Sequence, residues 1–473
     1  MAGVAAVVAA LYLSGGFVWD DRTLIAQELV TQDLSSLLEL WVSPIRESGP
    51  GAAYYRPVSL TIMAVLARLG PWALHLLALV LHSASAVLLT RLVGGGRWPL
   101  LGGLVFALHP MASEVLAWCS AIPDALAVFL GLLSVYAWKR SPSAALFVLL
   151  LGCLSKETAA LVPLTFGVAG MLGNRWWVRW GFLCLVVAGL RFGAGVVVSD
   201  AWMDKWAMAP DALAWSLGGL VWPFPLSAVR DLWVVPGHMY ILGGALVLAM
   251  SWFGRNQKRA LAGLGLVLAA PMIAVPVMLD GYLVAERYMY VGTVGLGLWC
   301  ASVCRPISKS WWMVFPVLAA LGVHGSRSSA WKDDVSLFSE AVRAHPTSSY
   351  SWHLLGISLA ESGRFDGAAD AFQKAVAQGH PHPLDRFLCL KALVLAGRAE
   401  DALLWAQSGP QEHLTADAIA WRARAALLAG KNDVANALLQ ALKTADGFDG
   451  PSWVGDLYEQ VQTDISNPTT FSP

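Results

Sequence analysis

The sequence predicts an all-α protein, in which a polytopic membrane helical bundle is followed by a tetratricopeptide-repeat helical solenoid. Of its 473 residues, 57% are hydrophobic and 14% charged, whereas soluble domains carry roughly 25% charged residues. Hydropathy drops after His324, and a period of about 34 residues, typical of a helical-repeat array, then begins. We therefore predict a membrane domain over residues 1–325 and a repeat domain over residues 326–473.

The overall composition excludes some classes of function. The formal net charge is zero, which argues against a nucleic-acid partner because such proteins carry a basic surface. The 23 tryptophans are typical of a chain whose amphipathic rings line bilayer interfaces. The six cysteines are scattered and have neither zinc-site nor disulfide-framework spacing.

The membrane spans are predicted from apolar runs, several of them shorter than the roughly 20 residues of an ideal span. Basic residues occupy every second connection, which predicts about eleven spans with the amino terminus inside. Residues 211–226 break this alternation and are predicted to form a re-entrant or interfacial helix on the outer side. The first run, Ala2–Val18, lacks the basic flank of a signal peptide, so an uncleaved span is favoured. The other runs are 72–93, 98–112, 122–138, 143–155, 158–173, 177–198, 239–254, 259–279, 288–304 and 311–324.

The stretch from Gly15 to Ile25 is the point around which the chain is organised. The apolar run ends there in two adjacent carboxylates, Asp20 and Asp21. Adjacent acids repel, so the pair is costly unless a protonated, cationic or metallic group neutralises it. The alternative is a solvated span end with no further role.

Other polar motifs are predicted to reach the same outer surface as the acid pair. Charges at membrane depth are expensive and usually mark function. Each motif alone has a structural alternative, as a local ion pair or a capped helix end. Residues 24–41 predict an amphipathic helix lying on the membrane, which would admit a lipid tail to this surface. The motifs are Arg56, His109 with Glu114, Asp124, Lys156-Glu157, Asp204-Lys205 and Glu286-Arg287.

The tail carries a tetratricopeptide-like pattern over residues 349–381, and its glycine and alanine positions recur further along the chain. Such repeats stack into a concave surface that binds peptides or partner proteins. The alternative is a scaffold that only caps the membrane domain. The signature residues are Trp352, Leu355-Gly356, Gly363, Ala368, Phe372 and Ala375, then Gly397 and Ala402, then Gly430 and Ala435.

Together these motifs resemble the membrane glycosyltransferases of the GT-C type, and specifically the transmembrane and tetratricopeptide-repeat O-mannosyltransferases and their bacterial relatives. The resemblance covers essentially the whole chain, and the motifs occur in the family's order. The matching segments are Phe17-Val18-Trp19-Asp20-Asp21, Tyr55-Arg56-Pro57, His75 and His82, Phe106-Ala107-Leu108-His109-Pro110 with Glu114-Val115, Leu154-Ser155-Lys156-Glu157, and Glu286-Arg287-Tyr288-Met289-Tyr290.

The resemblance implies inverting transfer of a sugar, with mannose expected, from a polyprenyl-phosphate carrier to a hydroxyl acceptor such as a protein serine or threonine. Asp20 or Asp21 would be the base, and the resemblance slightly favours Asp21 as the acid nearest the acceptor. Paired carboxylates also suit Mg²⁺ or Mn²⁺. The departing phosphate would be held by Arg56, Lys156, Arg287 and His109, with Glu114, Asp124, Glu157 and Glu286 in support.

The expected location is the bacterial inner membrane, with the active site and the repeats on the periplasmic side and an acceptor protein bound by the repeats. One departure from the family pattern is Ile122, where relatives carry an arginine two residues before the acid corresponding to Asp124. This departure is consistent with a second reading, a non-catalytic membrane scaffold that recruits proteins through its repeats. A transporter is disfavoured, because the midplane charges and symmetric repeats of that class are not seen.

Overall fold

A computed structural model describes most of the chain, and the all-α prediction is confirmed. A single pair of two-residue strands, Ile45–Arg46 and Ala53–Tyr54, is the one β element in the described part. The described residues are 2–29, 36–43, 45–46, 53–94, 98–194, 206–224, 227–229, 235–275, 285–305, 314–378, 382, 384–408, 416–442, 459 and 463.

The chain divides into two compact units, Met1–Leu337 and Phe338–Pro473. The predicted division between residues 325 and 326 falls inside a helix, Val314–Ala330, and the domain assignment stays a prediction.

The helices of the first unit follow the predicted apolar runs closely. Several begin with a proline in their first turn, where the missing N–H is not needed and the fixed φ suits the helix. The helices are α1 (Ala2–Ala10), α2 (Pro57–Ala67), α3 (Pro71–Leu92), α4 (Pro99–Leu108), α5 (Ser113–Ala117), α6 (Ile122–Trp138), α7 (Pro142–Ser155), α8 (Leu161–Val168), α9 (Arg175–Gly193), α10 (Ala209–Val221), α11 (Gly237–Gly254), α12 (Lys258–Ala274), α13 (Tyr290–Val303) and α14 (Val314–Ala330). The next helix, α15 (Asp334–Ala344), contains the division between the two units.

Three stretches of helix are long and apolar enough to cross a bilayer: Pro71–Leu92, Cys119–Trp138 and Gly237–Gly254. A fourth candidate is the pair Pro99–Leu108 and Pro110–Ala117, which is bent by 53°. These figures concern the described residues only, and the larger span count stays a prediction. The predicted outer-loop motif Asp204-Lys205 lies outside the described residues.

The first predicted span is wrong in its extent, because α1 ends at Ala10 and residues 11–14 form turns. A Cβ atom on Gly15 would lie 2.9 Å from Nε2 of His75. A glycine there lets the loop approach α3 closely, which a continuous helix would not do. The acid pair therefore follows a packed loop and not the end of a long helix.

Two of the helices predicted at the membrane surface also differ in detail. The expected amphipathic helix over 24–41 is present as a wide π-type helix, Asp21–Leu29, and a 3₁₀ helix, Ser36–Trp41. Residues 30–35 lie outside the described part. The segment expected over 211–226 is a helix over Ala209–Val221.

Two glycine pairs allow helices of the first unit to pack at very short range. A Cβ on Gly102 of α4 would lie 2.7 Å from the carbonyl oxygen of Gly297 in α13. A Cβ on Gly263 of α12 would lie 2.5 Å from the carbonyl oxygen of Gly295, also in α13. Small residues let helix backbones approach closely where apolar surface alone gives no driving force. Since Arg287 directly precedes α13, these contacts help to fix its position.

The second unit is a succession of short helices, each packed on the next. The turn glycines Gly363, Gly397 and Gly430 have φ values of 74°, 76° and 70°, a left-handed conformation that favours glycine. The alanines Ala368, Ala402 and Ala435 are fully buried. Both sets recur at the predicted spacing, while the tetratricopeptide assignment itself stays a prediction. The helices are α16 (Ser349–Glu361), α17 (Phe365–Ala377), α18 (Asp385–Leu395), α19 (Ala399–Gln407), α20 (Ala416–Leu428) and α21 (Asn432–Leu442).

We predict that Gly263→Ala lowers the unfolding midpoint of the detergent-purified chain, because the new methyl group overlaps the Gly295 carbonyl oxygen. Overpacking of this kind costs about 1–3 kcal/mol. The matched control is Gly265→Ala in the same helix, where a Cβ meets no atom within 4 Å. That change should leave the midpoint unchanged or raise it, since alanine is the better helix former. Equal midpoints for the two variants in scanning fluorimetry would contradict the proposed contact.

Candidate active site

Most of the predicted site residues lie where a helix or a 3₁₀ turn begins, while Glu114 and Asp124 lie in the first turns of α5 and α6. Asp21 opens the Asp21–Leu29 helix, and Glu157 opens the 3₁₀ turn Glu157–Ala160. Glu286 and Arg287 lie on the turn Glu286–Met289, before α13. A turn held against rigid helices fixes side chains precisely while leaving backbone groups available for binding.

Trp19 begins the acid loop in an unusual backbone conformation, with φ at 54°. Left-handed backbone is costly for a bulky residue and persists only where its surroundings enforce it. Its N–H donates to Oδ1 of Asp334 at 2.7 Å, and its ring stacks on Trp118 with centroids 5.3 Å apart. Arg22 forms an ion pair with the same Asp334 carboxylate at 3.0 Å. Asp334 thus holds both ends of the turn that carries the acid pair.

Asp21 is fully buried and is held by hydrogen bonds on both carboxylate oxygens. Oδ1 accepts from the Ser120 N–H at 2.7 Å and from its hydroxyl at 2.5 Å. Oδ2 accepts from the N–H of Val18 at 3.2 Å and of Cys119 at 3.3 Å. Burial raises the pKa of Asp21 to about 7, and these four hydrogen bonds oppose the rise. The residue ties the acid loop to the turn before α6, which is an anchoring role.

Asp20 is in a different environment, although it is the next residue. Its side chain is half-buried and accepts no hydrogen bond from the described residues, while its backbone carbonyl accepts from Thr23 and Leu24. Burial raises the pKa of Asp20; the nearby charge of Arg287 lowers it, and that of Asp334 raises it again. A carboxylate without hydrogen bonds and with a raised pKa is suited to accept a proton. The structure therefore places the two adjacent acids in different environments.

Arg287 is paired with Glu114 and not with its neighbour Glu286. Its guanidinium contacts the fully buried Glu114 carboxylate, and its N–H donates to the same carboxylate at 3.0 Å. The guanidinium also lies 4.6 Å from the ring centre of Trp118 and 5.0 Å from that of Tyr288. This cation is therefore fixed in place close to Asp20.

Lys156 also pairs across the fold, with Nζ 2.7 Å from both carboxylate oxygens of Asp124. Burial lowers the pKa of Lys156; the Asp124 charge opposes this, and the charges of Arg56 and Arg287 lower it further. Three predicted phosphate ligands thus lie within electrostatic range of one another. Ile122, at the position where the family that the sequence resembles carries an arginine, is buried, and Asp124 is paired with the lysine.

Glu157 is shared by two arginines, one of which the sequence analysis did not identify. Arg56 lies 3.4 Å from one of its oxygens, and Arg191 lies 2.7 Å from the other. Arg191 also approaches the carbonyl oxygen of Tyr55 at 3.4 Å. Two guanidiniums therefore converge on one carboxylate, and guanidinium groups are well suited to bind anionic ligands such as phosphate.

Two of the predicted site residues, His109 and Glu286, are bonded to other groups of the protein. His109 accepts the Met111 N–H at Nδ1, and its Nε2 lies 3.1 Å from the carbonyl oxygen of Leu220. Both ring nitrogens are therefore occupied, so this arrangement offers none to a phosphate. Glu286 is buried and pairs with Arg327 at 3.0 Å, and it also accepts from the Ser113 hydroxyl. Glu286 thus contributes to the internal support of the site.

Five residues of this arrangement do not belong to any of the motifs recognised in the sequence. Arg191 is a cation near the end of a largely apolar helix. A charge within a predicted membrane span usually marks a functional residue, and this signal could have identified it. The others act through partners distant in the chain, which the sequence alone does not reveal. The five are Arg191, Trp118, Ser120, Arg327 and Asp334.

A divalent metal fits the acid pair poorly. Both Asp21 oxygens already accept hydrogen bonds, which leaves Asp20 as the available carboxylate there. Across the described residues, no three His, Cys, Asp or Glu side chains are grouped as metal ligands would be. No step proposed below uses a metal.

Comparison with curated proteins finds relatives named protein O-mannosyl-transferase TMTC2. The chain is 32% identical to the Mus musculus protein over 144 residues, 31% to the Homo sapiens protein over 144 and 32% to the Xenopus laevis protein over 117. The similarity is partial. It covers 27%, 27% and 22% of this chain, and only 17%, 17% and 14% of the three relatives. No family model matches the chain, and no solved structure matches it significantly.

We predict that Asp21→Asn destabilises the protein, because the amide group would face N–H donors where a carboxylate oxygen now accepts. A buried donor left without an acceptor costs about 1–3 kcal/mol. Asp20→Asn is the matched control, since its carboxylate accepts no hydrogen bond from the described residues. Thermal unfolding should show a lowered midpoint for the first variant alone, and equal midpoints would remove the anchoring role.

Proposed function

We propose that this protein is an integral-membrane glycosyltransferase of the GT-C type, which moves mannose from a polyprenyl-phosphate carrier to a serine or threonine hydroxyl of an acceptor protein. The observation that carries the proposal is the position of Asp20. Its carboxylate accepts no hydrogen bond from the described residues and lies within electrostatic range of Arg287, so a base and a phosphate-binding cation are adjacent. The relatives' name, O-mannosyl-transferase, is consistent with this chemistry.

In the proposed reaction, Asp20 takes the proton from the acceptor hydroxyl as its oxygen attacks the anomeric carbon. The bond from that carbon to the phosphate oxygen breaks, and the electron pair leaves with the polyprenyl phosphate. Attack opposite to the leaving group inverts the configuration. Asp21 holds the loop so that Asp20 keeps its position, and it does not itself meet the acceptor. This assignment differs from the one that the family resemblance slightly favours.

Charge stabilisation of the leaving phosphate is assigned to Arg287, Lys156, Arg56 and Arg191. Fixed cations in a site that excludes water act more strongly on developing charge than they would in bulk solvent. The charges of Arg56 and Arg287 both act on Lys156. Arg56 and Arg191 both contact the carboxylate of Glu157. Phosphate would replace part of the contact that these guanidiniums make with Glu157.

The repeat unit is proposed to bind the acceptor protein, and the active site and repeats to lie on the periplasmic face of the inner membrane. The alternation of basic connections supports this orientation. The recurring glycine turns and buried alanines are what a stack of helical pairs requires. The apolar helices would accommodate the carrier's polyprenyl chain.

We predict that Asp20→Asn lowers the rate of transfer by about a hundredfold to ten-thousandfold, the usual contribution of a catalytic base. Donor binding should persist, because Asn keeps the shape of the side chain. In the wild type the rate should rise with pH along an ionisation above the usual aspartate range, since burial raises this pKa. Asp333→Asn is the control, because Asp333 is an acid that caps α15. Near wild-type transfer by Asp20→Asn would exclude Asp20 as the base.

We predict that Arg191→Gln weakens binding of the polyprenyl-phosphate donor by about tenfold, the scale of one charge-assisted hydrogen bond. Folding should be retained, because Arg56 still neutralises Glu157. Arg175→Gln, an exposed position in the same helix, is the matched control. Equilibrium binding of radiolabelled donor to the purified chain is the measurement, and the same affinity for both variants would remove Arg191 from the phosphate site.

A further inference from the structure

Trp118 lies between the two halves of the proposed site. It stacks on Trp19, the residue before Asp20, and the guanidinium of Arg287 lies over its ring. The next two residues, Cys119 and Ser120, donate to Asp21. One side chain therefore contacts the acid loop and the phosphate-binding cation at once.

The indole N–H of Trp118 is buried and has no hydrogen-bond partner among the described residues, and the side chain is only 5% exposed. An unsatisfied buried donor carries a desolvation cost, so such a group calls for an explanation. Its ring is engaged by Trp19 and Arg287. The N–H at the edge of the indole is thus the one polar group of this side chain, and it has no partner among the described residues.

We propose that the indole N–H of Trp118 donates a hydrogen bond to a hydroxyl oxygen of the sugar carried by the donor. This inference rests on the proposed function. In an inverting transfer the sugar lies between the base and the leaving phosphate, and Trp118 contacts the elements that hold both. A sugar hydroxyl is an acceptor that this N–H would meet only in the complex.

Trp331 provides a matched comparison for this assignment. Its indole N–H is likewise buried without a partner in the described part, and its ring centre lies 6.3 Å from that of Trp118. It lies next to Arg327, which supports Glu286, and not next to Arg287. The same chemical change at the two positions therefore separates a ligand contact from ordinary packing.

The test compares Trp118→Phe and Trp331→Phe with the wild-type full chain, purified in detergent. Phenylalanine keeps an aromatic ring but removes the N–H. For Trp118→Phe we expect the Kd for radiolabelled polyprenyl-phosphate mannose to rise about fivefold to tenfold, as for one lost neutral hydrogen bond. Binding of polyprenyl phosphate without the sugar should not change. Both substitutions shorten a buried ring, so the unfolding midpoints of the two variants should fall by similar amounts, and Trp331→Phe should bind both ligands as the wild type does.

Several results would overturn the assignment. Wild-type affinity of Trp118→Phe for the mannosyl donor would show that the N–H does not contact it. Equal weakening for the carrier with and without sugar would place the contact at the phosphate, and a midpoint much lower for Trp118→Phe than for Trp331→Phe would make Trp118 a packing residue. If the wild type itself bound no mannosyl donor, the proposed function would fail instead.

A set of deoxymannosyl donors tests the contact without relying on the fold of a variant. The wild type should bind one of these donors more weakly than mannosyl donor, by about the same fivefold to tenfold. Trp118→Phe should not discriminate against that donor. Undiminished binding of every deoxy donor by the wild type would contradict the proposal.

Discussion

The buried carboxylate of Asp21 is the interaction on which the rest of the site depends. Its oxygens accept from Val18 on one side and from Cys119 and Ser120 on the other, which joins two segments nearly a hundred residues apart in the chain. Because the carboxylate is inaccessible to water, those donors have no alternative partner. The backbone turn at Trp19 and the half-buried side chain of Asp20 are set by this junction together with the Asp334 carboxylate, which accepts from the Trp19 N–H.

Around that junction, charges are paired between distant segments, and almost every pair is neutral. Arg287 meets Glu114, Lys156 meets Asp124 and Arg327 meets Glu286. Buried ion pairs of this kind add little to stability, but breaking one leaves an uncompensated charge, which is costly. They therefore fix geometry. The exception is Glu157, whose carboxylate is contacted by two guanidiniums, those of Arg56 and Arg191.

Much of the fold was predictable from the sequence, because apolar runs and prolines determine where helices such as α3, α6 and α11 begin and end. The acid pair and its cations were also recognisable as charges in an apolar chain. The residue that each of these charged groups contacts could not be predicted. The difference between Asp20 and Asp21 depends on Ser120 and Asp334, and Arg191 is close to Arg56 only because the chain folds back between them. Local pattern carries no information about such long-range partners.

The hydrogen bond from Trp19 to Asp334 has a consequence for biosynthesis. The two residues are 315 positions apart, and ribosomes add about 5–20 residues per second. Roughly 15 to 60 seconds therefore separate the synthesis of the acid loop from that of the residue that holds it. During this time the loop lacks the acceptor that supports its left-handed turn. A nascent chain thus carries the acids from the start, but they reach their final geometry only when the membrane unit is almost complete.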